Sequence, residues 1–295
     1  MSVVRPDSAG IFFSCSAVKM ITLKEINVYP VKSLDGYSPS TALVEACGLQ
    51  YDRRWMIVDQ DGLFVSQRTC NRMTELRAMV ENETLHICSK KDSALCISVG
   101  NDEFVGTKRV RVWDDHIFAL VGHPEVSEFL SDFLGFSCQL VKMDETSPRQ
   151  IDLAYSTPGE MVSFADAFPF LIIGEASLTD LNSRLQNKLS LPSRRFRANF
   201  IFSGGEAYVE DNWKLIKIAN TFFSGRKNCG RCMMINLDPD TGKCAPEPLQ
   251  VLSDYRRQGK SVLMGRHMCL QTPDPLYSGS RCVKVGDTIE ILSCS

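Results

Sequence analysis

No uncharged apolar run in the sequence reaches the length of about eighteen residues that a membrane-spanning helix needs. The nearest approach, Gly10 to Ile21, is too short and is interrupted by Lys19, so no transmembrane segment is expected. Nor is there an excess of either charge. Lys+Arg 33 against Asp+Glu 35 gives a formal net charge of −2, with bases interspersed among acids. That excludes the electrostatic footprint of a nucleic-acid binder, and any anion site must be local. Glycines form no nucleotide-binding loop, and no internal repeat or low-complexity tract is present. Histidine is scarce: His86, His116, His123 and His267 fall in no ligand pattern and are expected to be packing or surface residues. The twelve cysteines lack regular spacing and no signal peptide precedes them, which argues against a disulfide framework and for a reducing compartment. Cytoplasm is expected, with mitochondrial association as the alternative.

What is present is the composition of a globular protein, 44% apolar and 23% charged over 295 residues. Residues 1–20 read as a flexible tail, with Met20 an alternative start, and two lobes follow over 21–145 and 146–295, joined by the Pro-, Ser- and Thr-rich stretch from Asp144 to Glu160. The first lobe is mostly β. Trp55 to Ser66 is a hairpin turning at Asp61-Gly62, strands flank Lys90 to Ser93, and Arg109 to Trp113 alternates. Val126, Phe129, Leu130, Phe133 and Leu134 recur at helical spacing before Gly135, which sits where a left-handed cap belongs. In the second lobe Phe168 to Ile173 reads as a strand, and Ser177 to Asp180 as a capping box opening a helix with Leu178, Leu181, Leu185 and Leu189 on one face. Further strands are expected at Asn199 to Ser203, Trp213 to Ile218 and Met233 to Leu237, and Val283 to Leu292 reads as strand around a Gly286-Asp287 turn. The fold class is α+β, predominantly β, with a curved sheet or barrel and few helices.

The sharpest feature is Cys229-Gly-Arg-Cys232, the single Cys-x-x-Cys of the chain. A structural zinc site needs a second ligand pair, for which only Cys244, His267 and Cys269 are on offer. A thioredoxin-like pair needs a helix after its cysteine, whereas the residues after Cys232 read as strand and turn. The third reading is one reactive thiolate, favoured by the positive charges of Arg226, Lys227 and Arg231 and available as a soft metal ligand.

Cys-Gly-Arg-Cys followed by Asp238-Pro-Asp-Thr-Gly and Glu247-Pro-Leu resembles the signature of the MOSC family. Tyr29-Pro-Val-Lys-Ser33, Tyr51-Asp-Arg53-Arg-Trp55, Ser163 to Leu171, Glu175 to Asn182 and Phe196-Arg197-Ala-Asn199 resemble, in the same order, blocks of its amidoxime-reducing component group and bacterial relatives. The resemblance implies a MOSC N-terminal β-barrel domain over 21–145, a MOSC domain over 146–295, and a molybdenum–molybdopterin cofactor. For the domain as a class it also implies pyridoxal phosphate binding. By position, Cys232 becomes the molybdenum ligand and a catalytic residue. Lys32, Ser33, Arg53, Arg197 and Asn199 hold the pterin and its phosphate, Asp166 lies at the active-site floor as a cofactor-binding and catalytic residue, and Gly230 and Arg231 line the metal loop. Ala198 replaces the usual proline, and Ala167-Phe168 stand where some relatives carry small hydroxyl residues. Cys229 is expected to be structural. The implied activity is reduction of small N-hydroxylated substrates, such as amidoximes, hydroxylamines and N-hydroxylated bases. Because the sequence shows neither a ferredoxin segment nor a nucleotide loop, a separate electron donor is expected: a b-type cytochrome with its reductase, or a ferredoxin or flavoprotein. The competing reading is a molybdopterin or sulfur carrier, with a persulfide on Cys232.

Overall fold

Phe170–Gly174 contains no polar side chain, and the computed structural model, which describes residues 20–147, 149–186, 190–271 and 281–294, shows the reason. The strand runs through a curved eight-stranded sheet, and its successive side chains enter two different cores. Phe170 and Ile172 join Phe200, Phe202, Trp213, Phe223 and Met268 on the inside. Leu171 and Ile173 join Ile201, Met264, Leu181 and Leu252 on the outside. Two-sided burial replaces the polar–apolar alternation of a half-exposed strand.

The sheet runs Thr22–Ile26, Phe200–Ser203, Phe170–Gly174, Ser261–Gln271, Thr221–Gly230, Trp213–Ile218 and Ile289–Cys294, with Arg257–Gln258 paired to Ser261–Gln271. Its outer strands meet, since Thr22 bridges Thr288 and the Leu23 N–H donates to the Asp287 carbonyl at 2.8 Å. The sheet therefore curls on itself, which hides its edges. Phe170–Gly174 and Phe200–Ser203 pair in parallel, and the helix Glu175–Arg184 lies in the crossover that such pairing demands. That helix starts two residues before the expected cap. Ser177 lies inside its first turn, buried, and donates to the carboxylate of Glu210 at 2.9 Å while accepting from the Tyr208 N–H at 2.7 Å, instead of capping its own helix. The helix ends at Arg184, and Leu189 lies outside the described residues.

The first part of the chain forms a second sheet, in the order Trp55–Val58, Gln139–Met143, Asp115–Gly122 and Phe104–Val112. The helix Pro124–Leu134 buries Val126, Leu130 and Leu134 and ends at Gly135 with φ 84°, as its spacing predicts. The Asp61-Gly62 turn also forms: Gly62 has φ 77°, and a Cβ there would lie 2.6 Å from the Arg109 carbonyl oxygen, so only glycine fits. Leu76–Glu81, Thr84–Ser89 and Cys96–Val99 make a meander in which Cys88 and Cys96 face each other and are joined as a disulfide, a departure from the expectation of reduced thiols throughout.

One further expectation is corrected. Met233–Asn236 is a turn of 3-10 helix, because the chain leaves the sheet after the Arg231 N–H bonds Val262 at 2.7 Å and must turn to bring Asp238 to Arg195. The expected turn at Gly286-Asp287 forms, the Asp287 N–H donating to the Lys284 carbonyl at 3.0 Å, and the strands on either side of it find distant partners: Cys282–Lys284 pairs with Thr41–Glu45, and Ile289–Cys294 with Trp213–Ile218. Among the described residues no helix is long and apolar enough to cross a membrane.

Candidate active site

Tyr29 to Leu34 leaves the barrel strand Thr22–Ile26 and crosses to the second sheet, where the Lys32 N–H donates to the Trp55 carbonyl at 2.8 Å. Beside this crossing lies a cavity of about 390 Å³, within the size range of small-ligand sites. Lys32, Ser33, Arg53, Asp166, Arg197, Asn199, Gly230, Arg231 and Cys232 all line it. They come from distant parts of the sequence, and the crossing segment, the loop before Phe170–Gly174 and the end of Thr221–Gly230 deliver them to one place.

At one end sits a paired cation. The guanidiniums of Arg53 and Arg197 lie 4.5 and 4.3 Å from the ring of Tyr29. Arg53 is neutralised by the fully buried Asp52 at 2.5 Å and donates to the Arg197 carbonyl at 2.8 Å. Arg197 donates to the Leu34 carbonyl at 2.7 Å, and among the described residues no carboxylate lies within ion-pairing distance of it. Burial and the like charge of Arg53 lower its pKa. A half-buried guanidinium with no carboxylate at ion-pairing distance is a standing attraction for an anion. Ser33, Arg53 and Arg197 all have positive φ, at 67°, 50° and 53°, a conformation that costs a non-glycine residue roughly 1–2 kcal/mol. Such strain concentrates where geometry is held for binding. Asn199 contributes differently: its amide is committed to backbone, accepting from Leu171 and donating to Asn27 at 3.2 Å each, so it shapes the wall.

Lys32 and Asp166 form the middle of the cavity. The ammonium donates to Asp166 at 2.5 Å and to the Phe164 carbonyl at 2.8 Å, with its own side chain 6% exposed. Asp166 also accepts from the indole N–H of Trp113 at 3.1 Å. Enclosure pushes the Asp166 carboxyl upward, but Lys32 and Trp113 outweigh it and hold the group far below the usual carboxylate range. The same carboxylate is open to the cavity, its side chain 72% exposed. Asp166 is therefore in place as the charge partner of Lys32, held in its ionised form. Arg149, which sequence reasoning passed over, clamps the loop by donating to the carbonyls of Ser163, Ala165 and Asp166.

The sulfur end holds both cysteines of the Cys-x-x-Cys block. Cys232 is exposed, while Cys229 is buried. Burial raises the Cys229 thiol, but Arg231, which donates to its sulfur at 3.0 Å, and His267, hydrogen-bonded to it, bring it down to about 6. Cys229 thus belongs to the site's electrostatics and is more than an apolar filler. His267, expected to be a packing or surface residue, lines the cavity with its ring stacked on Phe168, centroids 4.7 Å apart. No motif announces it, because only the register of Ser261–Gln271 against Thr221–Gly230 sets it opposite Lys227. Gly230 is not demanded by sterics, since an added Cβ would meet only Ser261 at 3.8 Å or beyond.

Residues 20–137 match the model of the MOSC N-terminal beta barrel domain, and residues 159–290 match that of the MOSC domain. The chain is 30% identical to mitochondrial amidoxime-reducing component 1 of Mus musculus over 92% of this chain and 82% of that protein. The Homo sapiens protein of the same name is also 30% identical, over 92% and 83%. Molybdenum cofactor sulfurase of Oryza sativa subsp. japonica is 30% identical over 85% of this chain, which spans only 33% of that longer protein.

Proposed function

Since this chain belongs to the MOSC family, we propose that it reduces N-hydroxylated compounds with a molybdenum–molybdopterin cofactor held in the cavity. One observation carries the reading: an exposed cysteine and the half-buried Arg197, with no carboxylate at ion-pairing distance among the described residues, line the same cavity. The donor set fits the group. Arg197 and Arg53 are typed for its phosphate, Ser33 and the main chain of the strained segments for its ring polar atoms, and Cys232 for a single thiolate ligand. Arg231 has its Nε buried without a partner, a further donor at the metal loop. Among the described residues no group of three or more His, Cys, Asp or Glu offers a competing metal site.

When bound, the cofactor supplies the two-electron chemistry that removes oxygen from nitrogen, with electrons from a separate donor protein such as a b-type cytochrome, ferredoxin or flavoprotein. The chain's own residues position it. Lys32 and Asp166 keep one another ionised, Trp113 fixes the carboxylate, and Phe168 with Phe64 forms an apolar wall against which a substrate lies. Natural substrates in this reading are amidoximes, hydroxylamines or N-hydroxylated bases. Cytoplasm is the proposed compartment, in keeping with the free cysteines, and mitochondrial association is the alternative raised by the relatives' name. Cell fractionation separates the two.

The test is to assay molybdenum and pterin in the purified protein and to measure benzamidoxime reduction with an artificial electron donor. Cys232→Ala is expected to abolish turnover and lower the metal content; retained activity after full metal loss refutes the ligand assignment. Likeness to the cofactor sulfurases favours the second reading, a molybdopterin or sulfur carrier. Stoichiometric cofactor with no turnover of any N-hydroxylated compound would decide for the carrier.

A further inference from the structure

Reducing an N–O bond to N–H and water consumes two protons as well as two electrons, and the cavity's one lining carboxylate is fixed in its charged form by Lys32 and Trp113. Among the described residues its other charged lining groups are lysines and arginines and the buried Cys229 sulfur, which Arg231 and His267 hold toward the thiolate. One imidazole remains. We propose that His267, hydrogen-bonded to Cys229, is the catalytic proton donor for N–O cleavage, a role that rests on the reductase reading.

The geometry supports it. His267 stands opposite Lys227 and Leu171 on the two neighbouring strands, and its ring is fixed by stacking on Phe168 at 4.7 Å and 25°. Its Nδ1 is buried without a hydrogen-bond partner among the described residues, while the ring also bonds the Cys229 sulfur. The titratable and charged groups facing it are Lys227 and Cys229 on Thr221–Gly230, Arg231 behind the sulfur, and Asp166 on the loop that carries Phe168. Lys227 lies over the Tyr155 ring at 4.3 Å. The Cys229 sulfur is hydrogen-bonded to the imidazole, set against the positive charges of Lys227 and Arg231.

The step balances. The N–O bond breaks as two electrons arrive from the separate haem, iron–sulfur or flavin protein. The oxygen, already carrying one hydrogen, takes the proton of the imidazolium and leaves as water. The nitrogen takes its proton from solvent, and solvent then recharges His267.

The experiment uses the full-length, cofactor-loaded enzyme and its His267→Gln variant, with His267→Asn as a second replacement if the first folds poorly. Turnover of benzamidoxime is expected to fall on the order of 100-fold at unchanged molybdenum content. The limb of the wild-type profile that declines as pH rises through the neutral range is expected to vanish. Independently of turnover, alkylation of Cys229 by iodoacetamide at pH 7, resolved from Cys232 by mass spectrometry, is expected to slow about 10-fold as the thiolate loses its cationic partner. Wild-type turnover and pH profile in the variant, or unchanged Cys229 alkylation, overturns the donor role while leaving the reductase reading intact. A molybdenum-replete wild type inert towards benzamidoxime and other N-hydroxylated compounds overturns both.

Discussion

Replacing Asp166 with asparagine keeps the side-chain shape, removes its charge and strands the ammonium of Lys32, whose side chain is 6% exposed. Breaking a fully buried ion pair by removing one partner costs roughly 3–5 kcal/mol. Asp166 is open to water in the cavity, its side chain 72% exposed, so solvent screening reduces the expected cost to about 1–3 kcal/mol. For a chain of this size that is a fall in Tm on the order of 5 °C. Urea unfolding at pH 7 measures the difference, and Lys32→Met closes a double-mutant cycle by removing the ammonium while keeping most of its stem. The double variant is expected to be more stable than the two single losses predict by at least about 1 kcal/mol, because the stranded charge is gone. The pH dependence has a definite sign. The folded-state pKa of Asp166 is depressed, so its contribution is present above the unfolded value near ~4 and is lost on acidification through the folded value. The gap between wild type and Asp166→Asn should stay constant from about pH 5 to 8 and close in acid. Equal stability of the two proteins at pH 7, or strict additivity in the cycle, refutes the assignment of Asp166 as the charge partner that Lys32 requires.

Four other outcomes are expected. Cys232→Ser should lose molybdenum, whereas Cys229→Ser should retain it, as elemental analysis of both purified variants will show. Arg197→Gln removes a half-buried cation with no ion-paired carboxylate among the described residues, so cofactor retention should weaken about 10- to 100-fold, the worth of one charge-assisted hydrogen bond, without loss of thermal stability in cofactor-free protein. Phe170→Ala deletes a ring packed on Phe200 and Phe223, centroids 5.9 and 5.2 Å away, and should cost about 3–5 kcal/mol by chemical denaturation. Glu210, fully buried, has its pKa raised by burial against the bonds from Gly174 and Ser177. A raised carboxyl pKa means the folded state holds the proton more tightly, so stability falls as pH rises from the unfolded toward the folded value. Glu210→Gln should remove that slope in unfolding measured between pH 4 and 8.

Local signals carried far into the structure. The Gly135 cap, the Asp61-Gly62 turn, the five-residue stripe of Pro124–Leu134 and the two-sided apolar run at Phe170–Gly174 each depend on steric and packing preferences within a few residues, and each can be read from the chain alone. Motif order was informative too, for it singled out residues as far apart as Lys32 and Cys232 that line one cavity. Tertiary structure alone decided the rest. Ser177 lies inside a helix because Glu210, remote in sequence, offers it a buried acceptor; Met233–Asn236 turns because Arg195 holds Asp238; and Cys282–Lys284 takes its strand partner from Thr41–Glu45 at the other end of the chain. His267 and Cys229 meet only because two long strands pair in one particular register, and neither residue carries a trace of the other in its local sequence. Short-range preferences act through neighbours along the chain, as Arg231 does on Cys229, whereas the Lys32 charge at Asp166 and the His267 ring at Cys229 are brought within hydrogen-bonding reach only by folding.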